Sequence, residues 1–428
     1  MSAPRSASPG EPDAARWPDV VAVPRVSPLR RAAARAILRQ AFAKLPLSVA
    51  LSDGERLGAG GPLLCVRDPD AFVRRIAAQG LIGFGESYMA REWRAEDLVG
   101  VLTVLAEHAG TLIPAPLQRL RGLWAPRRPK AQRNTLTGAR DNIHRHYDLS
   151  NDLFALFLDE TLSYSAALFD RLPATWEHLP SAQHHKIDRL LDLAGVGPGT
   201  RLLEVGTGWG ELALRAAARG ASVRSVTLSA EQRALARQRV RAAGLEDRVD
   251  IELCDYRQVT GEYDAIVSVE MIEAVGAEYW PVYFRRLEEC LAPGGRIALQ
   301  AITMPHDRMA ASAGTHTWIN KYIFPGGLIP SVRAVRETVA AHTGLRLTRC
   351  DGYGPHYAET LRLWRERFTE RGEDVERLGF DATFRRMWTF YLAYSEAGFR
   401  ARYLDVHQIL LTHTADAENG AAENGRTR

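Results

Sequence analysis

Cysteine is scarce in this sequence, and long apolar runs are absent from it. The four cysteines, Cys65, Cys254, Cys290 and Cys350, stand far apart and form no CxxC pair. This pattern argues against a disulfide framework or a metal site and favours a reducing cytoplasm. No run of about 18 apolar residues occurs, so we expect no transmembrane helix. The polar stretch 1–17 lacks the apolar core of a secretory signal.

Lysine is also scarce, because arginine carries almost all of the positive charge. The only lysines are Lys44, Lys130, Lys186 and Lys321. The net charge of +4 is mild for 428 residues and does not by itself indicate a nucleic-acid partner. A hydrophobic content of 46% with 25% charged residues excludes a disordered, collagenous or coiled-coil chain. The length suggests two or three domains at roughly 100–200 residues each.

Composition divides the chain into five predicted segments. We expect a disordered tail at 1–26, a small N-terminal domain at 27–124, a basic linker at 125–133, a larger domain at 134–413 and a second disordered tail at 414–428. Between Glu107 and Asp141 there is no acidic residue, and arginines alternate there with leucines and Trp124. This basic stretch is either a solvated linker or a surface that meets anionic lipid headgroups.

Strand and helix patterns alternate through the larger domain at 134–413. Predicted strands cover 201–205, 222–227, 249–253, 263–269 and 295–301, with helices at 211–218, 230–243 and 279–291 between them. Repeated βα units predict an α/β fold with a parallel, doubly wound, Rossmann-like sheet. The ligand of such a sheet lies at the carboxyl ends of the first strands.

The strongest local motif follows the first of these strands. Leu202 to Glu211 runs from a buried strand into a turn with glycines at 206, 208 and 210, and then into a helix. The spacing is GxGxG rather than the GxGxxG of dinucleotide sites, and it resembles the loop of S-adenosylmethionine (SAM) dependent methyltransferases. By its place after the third strand, Asp255 is expected to accept from the adenine amino group and Tyr256 to cover the ring.

With these motifs the sequence resembles the cyclopropane-fatty-acyl-phospholipid synthase family of SAM-dependent methyltransferases. The resemblance covers about 134–412. Its carrying segments are His146–Asp152 (HYDLSND), Leu162–Ser165 (LSYS), Gly206–Gly210, Val226–Ser229 (VTLS), Asp255–Arg257 (DYR), Glu273, Trp318–Gly327 (WINKYIFPGG) and Tyr357. The segments 269–276 and 299–307 are most similar to the actinobacterial branch that makes the 10-methylene precursor of 10-methylstearic (tuberculostearic) acid.

The resemblance implies which residues hold SAM. Tyr164 and Ser165 would enclose its methionine end, and the glycine loop, Thr227, Leu228 and Gln232 would hold the rest. The full predicted cofactor set is Tyr164, Ser165, Glu204, Gly206, Thr207, Gly208, Trp209, Gly210, Thr227, Leu228, Gln232, Asp255, Tyr256 and Arg257.

The resemblance also implies a bound bicarbonate ion that acts as the catalytic base. Its ligands would be the backbone at Ala166 and the residues Glu273, Gln300, Ile302 and Tyr357. The family's usual Cys is Ala166 here, which keeps the backbone donor. Its usual His is Gln300, which hydrogen-bonds an oxyanion but carries no positive charge. We therefore expect Glu273 and Tyr357 to position bicarbonate, with its proton chemistry retuned.

The chemistry that follows from this resemblance is methyl transfer to an isolated double bond. A cis double bond is a poor nucleophile, so the enzyme must align it with the sulfonium in a dry site. Trp318, Tyr322 and Phe324 are the predicted substrate residues, whose aromatic faces would stabilise the resulting carbocation. A helical lipid-binding insertion at about 330–399 would form part of an apolar tunnel for the acyl chain.

The predicted reaction converts an oleoyl-type chain of a membrane phospholipid into a 10-methylene chain. Cyclopropane formation from the same substrate is the alternative, with a carrier-bound chain or a non-catalytic SAM- or lipid-binding protein as further possibilities. We expect peripheral binding at the inner face of the cell membrane and a homodimer. A flavin-dependent reductase would consume the methylene product. No nucleic-acid partner is expected, since no Asn/Asp-Pro-Pro-aromatic segment follows the fourth strand.

Overall fold

The computed structural model describes residues 11–110, 129 and 150–414. Residues 1–10 and 415–428 of the predicted tails, most of the basic linker with Trp124, and His146–Leu149 lie outside the described residues. The described part of the first tail, 11–26, was predicted to be disordered but contains a short helix at Pro18–Val21 with Val20 buried. Two compact units are formed from discontinuous segments. Unit 1 contains the described residues up to 110 together with 314–323 and 361–403, and unit 2 contains 129, 150–313, 324–360 and 404–414. The predicted domain boundaries, which divide the chain only along its length, remain a proposal.

The helices and strands are numbered in chain order. The helices are α1 (Pro18–Val21), α2 (Pro28–Lys44), α3 (Pro69–Gln79), α4 (Leu81–Met89), α5 (Leu98–Glu107), α6 (Asn151–Phe157), α7 (Leu179–Ala194), α8 (Glu211–Ala218), α9 (Ala230–Ala242), α10 (Ile272–Val275), α11 (Trp280–Glu289), α12 (His306–Ser312), α13 (Trp318–Tyr322), α14 (Val332–His342), α15 (Gly354–Glu370), α16 (Gly372–Arg377) and α17 (Ala382–Arg400). The strands are β1 (Ser48–Leu51), β2 (Arg56–Leu57), β3 (Leu63–Val66), β4 (Trp93–Ala95), β5 (Arg201–Val205), β6 (Ser222–Thr227), β7 (Val249–Leu253), β8 (Tyr263–Val269), β9 (Leu291–Thr303), β10 (Leu345–Gly352) and β11 (Asp405–His413).

Unit 2 is built on a seven-stranded sheet with the order β10-β11-β9-β8-β5-β6-β7. Strands β5 to β9 run parallel to one another. Strand β11 pairs antiparallel with both β9 and β10. The first parallel strand, β5, lies between β6 and β8. Because the chain order reverses there, the loops after β5 and β8 flank the crevice in which a doubly wound sheet binds its ligand.

Both faces of this sheet are covered by apolar side chains, and the alternation along β5 shows why. Leu202 packs in one buried cluster with residues of α7 and α8, while Leu203 and Val205 pack in a second cluster with α11 and α14. Successive strand residues point to opposite faces, so a strand buried on both sides must be apolar throughout. The two clusters hold the carboxyl ends of the strands in fixed register.

Unit 1 contains a small four-stranded sheet with the order β2-β1-β3-β4 and helices packed near it. Asp68 caps α3 by accepting from the backbone N–H of Ala71. A buried ion pair joins Arg75 to Glu92 at 2.7 Å. Segments 314–323 and 361–403 pack with this region, although both fall within the range predicted for the larger domain.

The predicted fold class is confirmed, and so are the bounds of most of its elements. Strands β5 to β8 and helix α8 match the prediction residue for residue, while β9 is longer at both ends than predicted. Helix α4 and strand β4 were not predicted. The Gly-containing sequence of α4, LIGFGESYM, carries no clear helical period, and tertiary packing decides its conformation. Among the described residues, no helix combines the length and apolarity needed to cross a membrane.

Candidate active site

The glycine loop after β5 adopts the backbone that its glycines predicted. Gly206, Gly208 and Gly210 all have positive φ, at 99°, 53° and 91°. A Cβ added to Gly206 would lie 2.6 Å from the Met271 side chain, whereas one on Gly208 would meet no heavy atom within 4 Å. The loop therefore packs closely against Met271 at Gly206 and has open space at Gly208. A turn that admits a ligand close to its backbone requires such open space.

Polar side chains under this loop form a buried layer. Glu204 is 3% exposed, and its Oε2 lies 2.5 Å from the Ser225 hydroxyl, which is also 2.7 Å from the Thr207 hydroxyl. Burial raises the pKa of Glu204 to about 8, because the ionised form would lose its hydration. On the next strand, the Thr227 hydroxyl hydrogen-bonds to the Gln232 Oε1 atom at 3.2 Å. The structure thus brings these predicted cofactor residues together at adjacent strand ends.

Aromatic rings and a buried lysine define another side of the same region. The rings of Tyr164 and Trp209 lie 5.1 Å and 5.0 Å from the ring of Phe154 on α6. The Lys186 ammonium on α7 donates to the Ser165 hydroxyl at 2.7 Å. Burial lowers the pKa of Lys186 to about 8. Tyr164 and Ser165 are therefore held by α6 and α7, two helices whose side chains the sequence analysis left unassigned.

The predicted adenine contacts are engaged with one another. The Asp255 carboxylate accepts from the backbone of Arg257 at 2.9 Å and from its guanidinium at 2.8 and 2.6 Å. That guanidinium also lies over the Tyr256 ring, 5.4 Å from its centroid. Burial raises the pKa of Tyr256 to about 12. These contacts fix the end of β7, and the role of Asp255 toward adenine stays a prediction.

The residues predicted to hold bicarbonate converge on a side chain to which the sequence analysis gave no role. Glu270 follows β8 directly, and its Oε1 accepts from the Ala166 backbone at 2.9 Å and from Gln300 Nε2 at 2.8 Å. Its Oε2 accepts from the Tyr357 hydroxyl at 2.7 Å. Ala166, Gln300 and Tyr357 are buried, whereas Glu270 keeps part of its surface accessible. We call these four residues the Glu270 cluster.

A chain of hydrogen bonds fixes the polarity of this cluster. Arg189 donates to Gln408 Oε1 at 2.5 Å. Because arginine can only donate, the oxygen of the Gln408 amide faces Arg189 and its Nε2 faces away. Gln408 Nε2 then donates to Gln300 Oε1, which also accepts from the Tyr353 hydroxyl at 2.6 Å. Gln300 must therefore present its Nε2 donor to Glu270. The site is built to receive a carboxylate at this position.

Glu273 lies beside this cluster at the start of α10. One of its oxygens accepts from the Ile302 backbone, and the other, Oε2, has no hydrogen-bond partner among the described residues. Burial and the neighbouring Glu270 carboxylate raise the pKa of Glu273 to about 8. Two like charges in one buried site disfavour double ionisation, so the two neighbouring carboxyl groups resist being ionised together.

A separate bicarbonate ion does not fit the residues predicted to hold it. Ala166, Gln300 and Tyr357 already donate to Glu270, and the Ile302 backbone donates to Glu273. A further anion would lack these donors and would add negative charge beside two carboxyl groups. The structure does bring the predicted ligands together, but around a protein carboxylate.

The predicted substrate aromatics lie in different surroundings. Trp318 is 4% exposed, with its ring 4.8 Å from that of Phe390, and the Tyr322 hydroxyl donates to Glu86 at 2.8 Å, all within unit 1. Phe324 belongs to unit 2, where the following loop contacts the site directly, since the Leu328 backbone donates to the carbonyl of Glu273. Their role in substrate binding stays a prediction.

The sequence analysis missed Glu270, Lys186 and the residues that orient Gln300. A signal for Glu270 was present, because it directly follows β8 at the carboxyl end of a strand adjacent to β5. The same rule had singled out Asp255. Lys186, Tyr353 and Gln408 gave no signal, since helix α7 and the strands β10 and β11 reach the site only through the folded sheet.

Comparisons with known proteins agree with this fold. The sequence model of the family described as mycolic acid cyclopropane synthetase matches residues 134–409. The tuberculostearic acid methyltransferase UfaA1 of Mycobacterium tuberculosis is 56% identical over 409 residues, covering 93% of this chain and 96% of that protein. The cyclopropane-fatty-acyl-phospholipid synthase of Escherichia coli is 33% identical over 365 residues, covering 83% and 88%.

Solved structures give the same result. The cyclopropane synthase MmaA2 from Mycobacterium tuberculosis superimposes with a TM-score of 0.59 at 33% identity, covering 64% of this chain and 97% of that one. The mycolic acid cyclopropane synthase CmaA1, solved in complex with SAH and CTAB, has a TM-score of 0.58 at 33% identity, covering 64% and 97%. The chain belongs to the mycolic acid cyclopropane synthetase family of SAM-dependent methyltransferases.

Proposed function

We propose that this protein transfers the methyl group of SAM to the cis double bond of an oleoyl-type chain in a membrane phospholipid and releases a 10-methylene chain. The observation that carries the proposal is the 56% identity, over 93% of this chain, to a protein named as a tuberculostearic acid methyltransferase. The glycine loop and the adjacent pair of glutamates supply the two features that this reaction needs, a SAM site and a base.

Bound SAM supplies an electrophilic methyl group, whose transfer to the double bond leaves a carbocation on the acyl chain. The loop at Gly206–Gly210 and the residues Thr227 and Gln232 would hold the nucleotide end, with Tyr164 and Ser165 at the methionine end. Proton loss from the new methyl group then gives the methylene, and its electron pair becomes the new double bond. The bicarbonate implied by the family resemblance is not part of this proposal, because its donors are engaged.

Cyclopropane formation from the same substrate is the second candidate. The family model and the 33% identity to the Escherichia coli cyclopropane-fatty-acyl-phospholipid synthase favour it. The two reactions share the methyl transfer and the proton loss, and they differ in whether the electron pair closes a ring. The products are therefore isomers, which mass alone separates poorly.

Product analysis by NMR tests the function. Purified protein is incubated with SAM labelled with ¹³C in the methyl group and with dioleoyl phospholipid vesicles, and the released fatty acids are examined. We expect the label in an olefinic methylene carbon. Label in a shielded ring carbon would replace the proposal by the cyclopropane reaction, and absence of label from the lipid would refute both. Glu289→Gln, a change at an exposed ion pair with Arg286, serves as the surface control.

Peripheral membrane binding, a homodimer and a flavin-dependent reductase that acts on the product are further parts of this proposal. Each has its own measurement. Sedimentation with anionic vesicles tests membrane binding, light scattering tests the dimer, and conversion of the methylene to a methyl branch in a reconstituted mixture tests the reductase. Charge attraction between a basic surface and anionic lipid predicts binding that weakens as salt is raised.

A further inference from the structure

We infer that the carboxylate of Glu270 is the base that removes the proton after methyl transfer, in the place that the family resemblance gives to bicarbonate. This inference rests on the proposed function, whose reaction requires such a base. It assigns a catalytic residue that neither the sequence motifs nor the family resemblance pointed to.

The first argument is the set of donors around Glu270. A backbone N–H, a side-chain amide and a phenol hydroxyl converge on its two oxygens at 2.9, 2.8 and 2.7 Å. They come from Ala166, Gln300 and Tyr357, three of the five positions predicted to bind a carboxylate-like anion. Bicarbonate and a glutamate side chain present the same planar pair of oxygens, so one can replace the other among the same donors.

The second argument is the backbone of Glu270. Its φ of 52° lies in the left-handed region, which glycine adopts freely and a glutamate adopts at a cost. Such conformations persist only where the surroundings fix them, and they concentrate at functional sites. Here the backbone N–H also donates to the carbonyl of Gln300 at 2.7 Å. This turn keeps Glu270 close to Gln300, the one of its three donors that lies on β9.

The hydrogen bonds and charges around the Glu270 carboxyl group bear on its protonation state. The hydrogen bonds from Arg189 through Gln408 orient the amide of Gln300, so that its Nε2 donates to Glu270. An ionised carboxylate can accept all three hydrogen bonds. Burial raises the pKa of Glu270 above its usual value, while the three hydrogen bonds and the positive charge of Lys186 oppose that effect. Glu270 as a residue is half-buried, whereas its three partners are buried.

The proposed step balances without any further reactant. A C–H bond of the transferred methyl group breaks, its electron pair forms the exocyclic double bond, and the proton bonds to a Glu270 oxygen. The carbocation is neutralised, and Glu270 becomes a neutral carboxylic acid that later loses its proton to solvent. Glu273 stands beside it, with one oxygen bound to the Ile302 backbone and with an Oε2 that has no hydrogen-bond partner among the described residues.

Two substitutions at Glu270 test this role. Glu270→Gln keeps the shape and removes the base, so we expect turnover to fall at least about 100-fold with SAM affinity retained, the size usual for a general base. Glu270→Gly suits the positive φ and frees all three donors, and we expect a similar loss that added bicarbonate restores at least tenfold. Bicarbonate should leave Glu270→Gln inactive. Glu289→Gln should keep wild-type turnover.

Binding of ¹³C-labelled bicarbonate, followed by NMR line broadening, gives a readout that is independent of turnover. We expect binding to Glu270→Gly and none to the wild type. Three results would overturn the inference: wild-type turnover in Glu270→Gln, bicarbonate binding to the wild type, or a folded, SAM-binding Glu270→Gly that bicarbonate fails to rescue. If the wild type methylates no oleoyl phospholipid, the proposed function fails instead, and the bicarbonate titration still decides whether Glu270 fills the anion site.

Discussion

Replacing Glu204 by Gln should stabilise unit 2 in a way that grows with pH. Burial raises the pKa of Glu204 from 4.5 to about 8, so between these values the folded chain keeps a proton that the unfolded chain has lost. Unfolding then releases a proton, and stability falls as pH rises through this window by about 1.4 kcal/mol per pH unit. Glutamine is a neutral side chain of the same shape, which removes this dependence.

The size of the effect follows from the window. At about pH 5 the two side chains are nearly equivalent, and by about pH 7.5 the variant should be more stable by about 3 kcal/mol. For a unit of this size that corresponds to a rise of roughly 6–12 °C in the melting temperature. Calorimetry of the wild type and Glu204→Gln across this pH range measures the difference, with Glu289→Gln as the control for removing a surface carboxylate.

If the difference in the free energy of unfolding between wild type and Glu204→Gln does not change with pH, the reasoning is refuted. It would mean that Glu204 is ionised in the folded protein, with Lys186 compensating its charge more fully than burial opposes it. A variant that is less stable at every pH would show instead that the short contact with the Ser225 hydroxyl outweighs the burial of the carboxyl group.

Two further substitutions test the glycine loop and the orientation of Gln300. Gly206→Ala should lower SAM affinity more than tenfold in a calorimetric titration, because a Cβ there meets Met271 at 2.6 Å. Gly199 has a similar positive φ of 79°, but a Cβ there meets no heavy atom within 4 Å. Gly199→Ala should therefore leave SAM affinity unchanged in the same titration. Tyr353→Phe removes a donor to Gln300 and should lower kcat about tenfold with SAM affinity retained. The Tyr263 hydroxyl hydrogen-bonds to Arg224 and to the Thr260 carbonyl, so Tyr263→Phe should lower stability and leave kcat unchanged. Equal losses of kcat in Tyr353→Phe and Tyr263→Phe would refute the orienting role of Tyr353.

The parallel sheet was predictable because its signals are local. The apolar strands β5 to β8 end at turn residues, and the glycines after β5 fix the loop without help from distant parts of the chain. The same locality explains why the position of Asp255 followed from the order of the strands. Helix α4 was missed because its conformation depends on packing against neighbours rather than on its own sequence pattern.

The arrangement of side chains around Glu270 was only half predictable. The family resemblance pointed to Ala166, Gln300 and Tyr357, which do meet, but it described them as ligands of an external anion. Glu270 changes that interpretation through a single side chain placed by an unusual backbone conformation. The orientation of Gln300 depends on Arg189, Tyr353 and Gln408, which come from three distant parts of the chain. No spacing rule along the sequence connects them.

Turnover in carbonate-free buffer is the most direct test of the account. Wild-type protein is given ¹³C-methyl-labelled SAM and dioleoyl phospholipid in buffer purged of carbon dioxide, and the labelled fatty acids are followed by NMR. We predict an olefinic methylene signal that forms at the same rate with and without added bicarbonate, since Glu270 supplies the base. A product that forms only after bicarbonate is added would contradict the account.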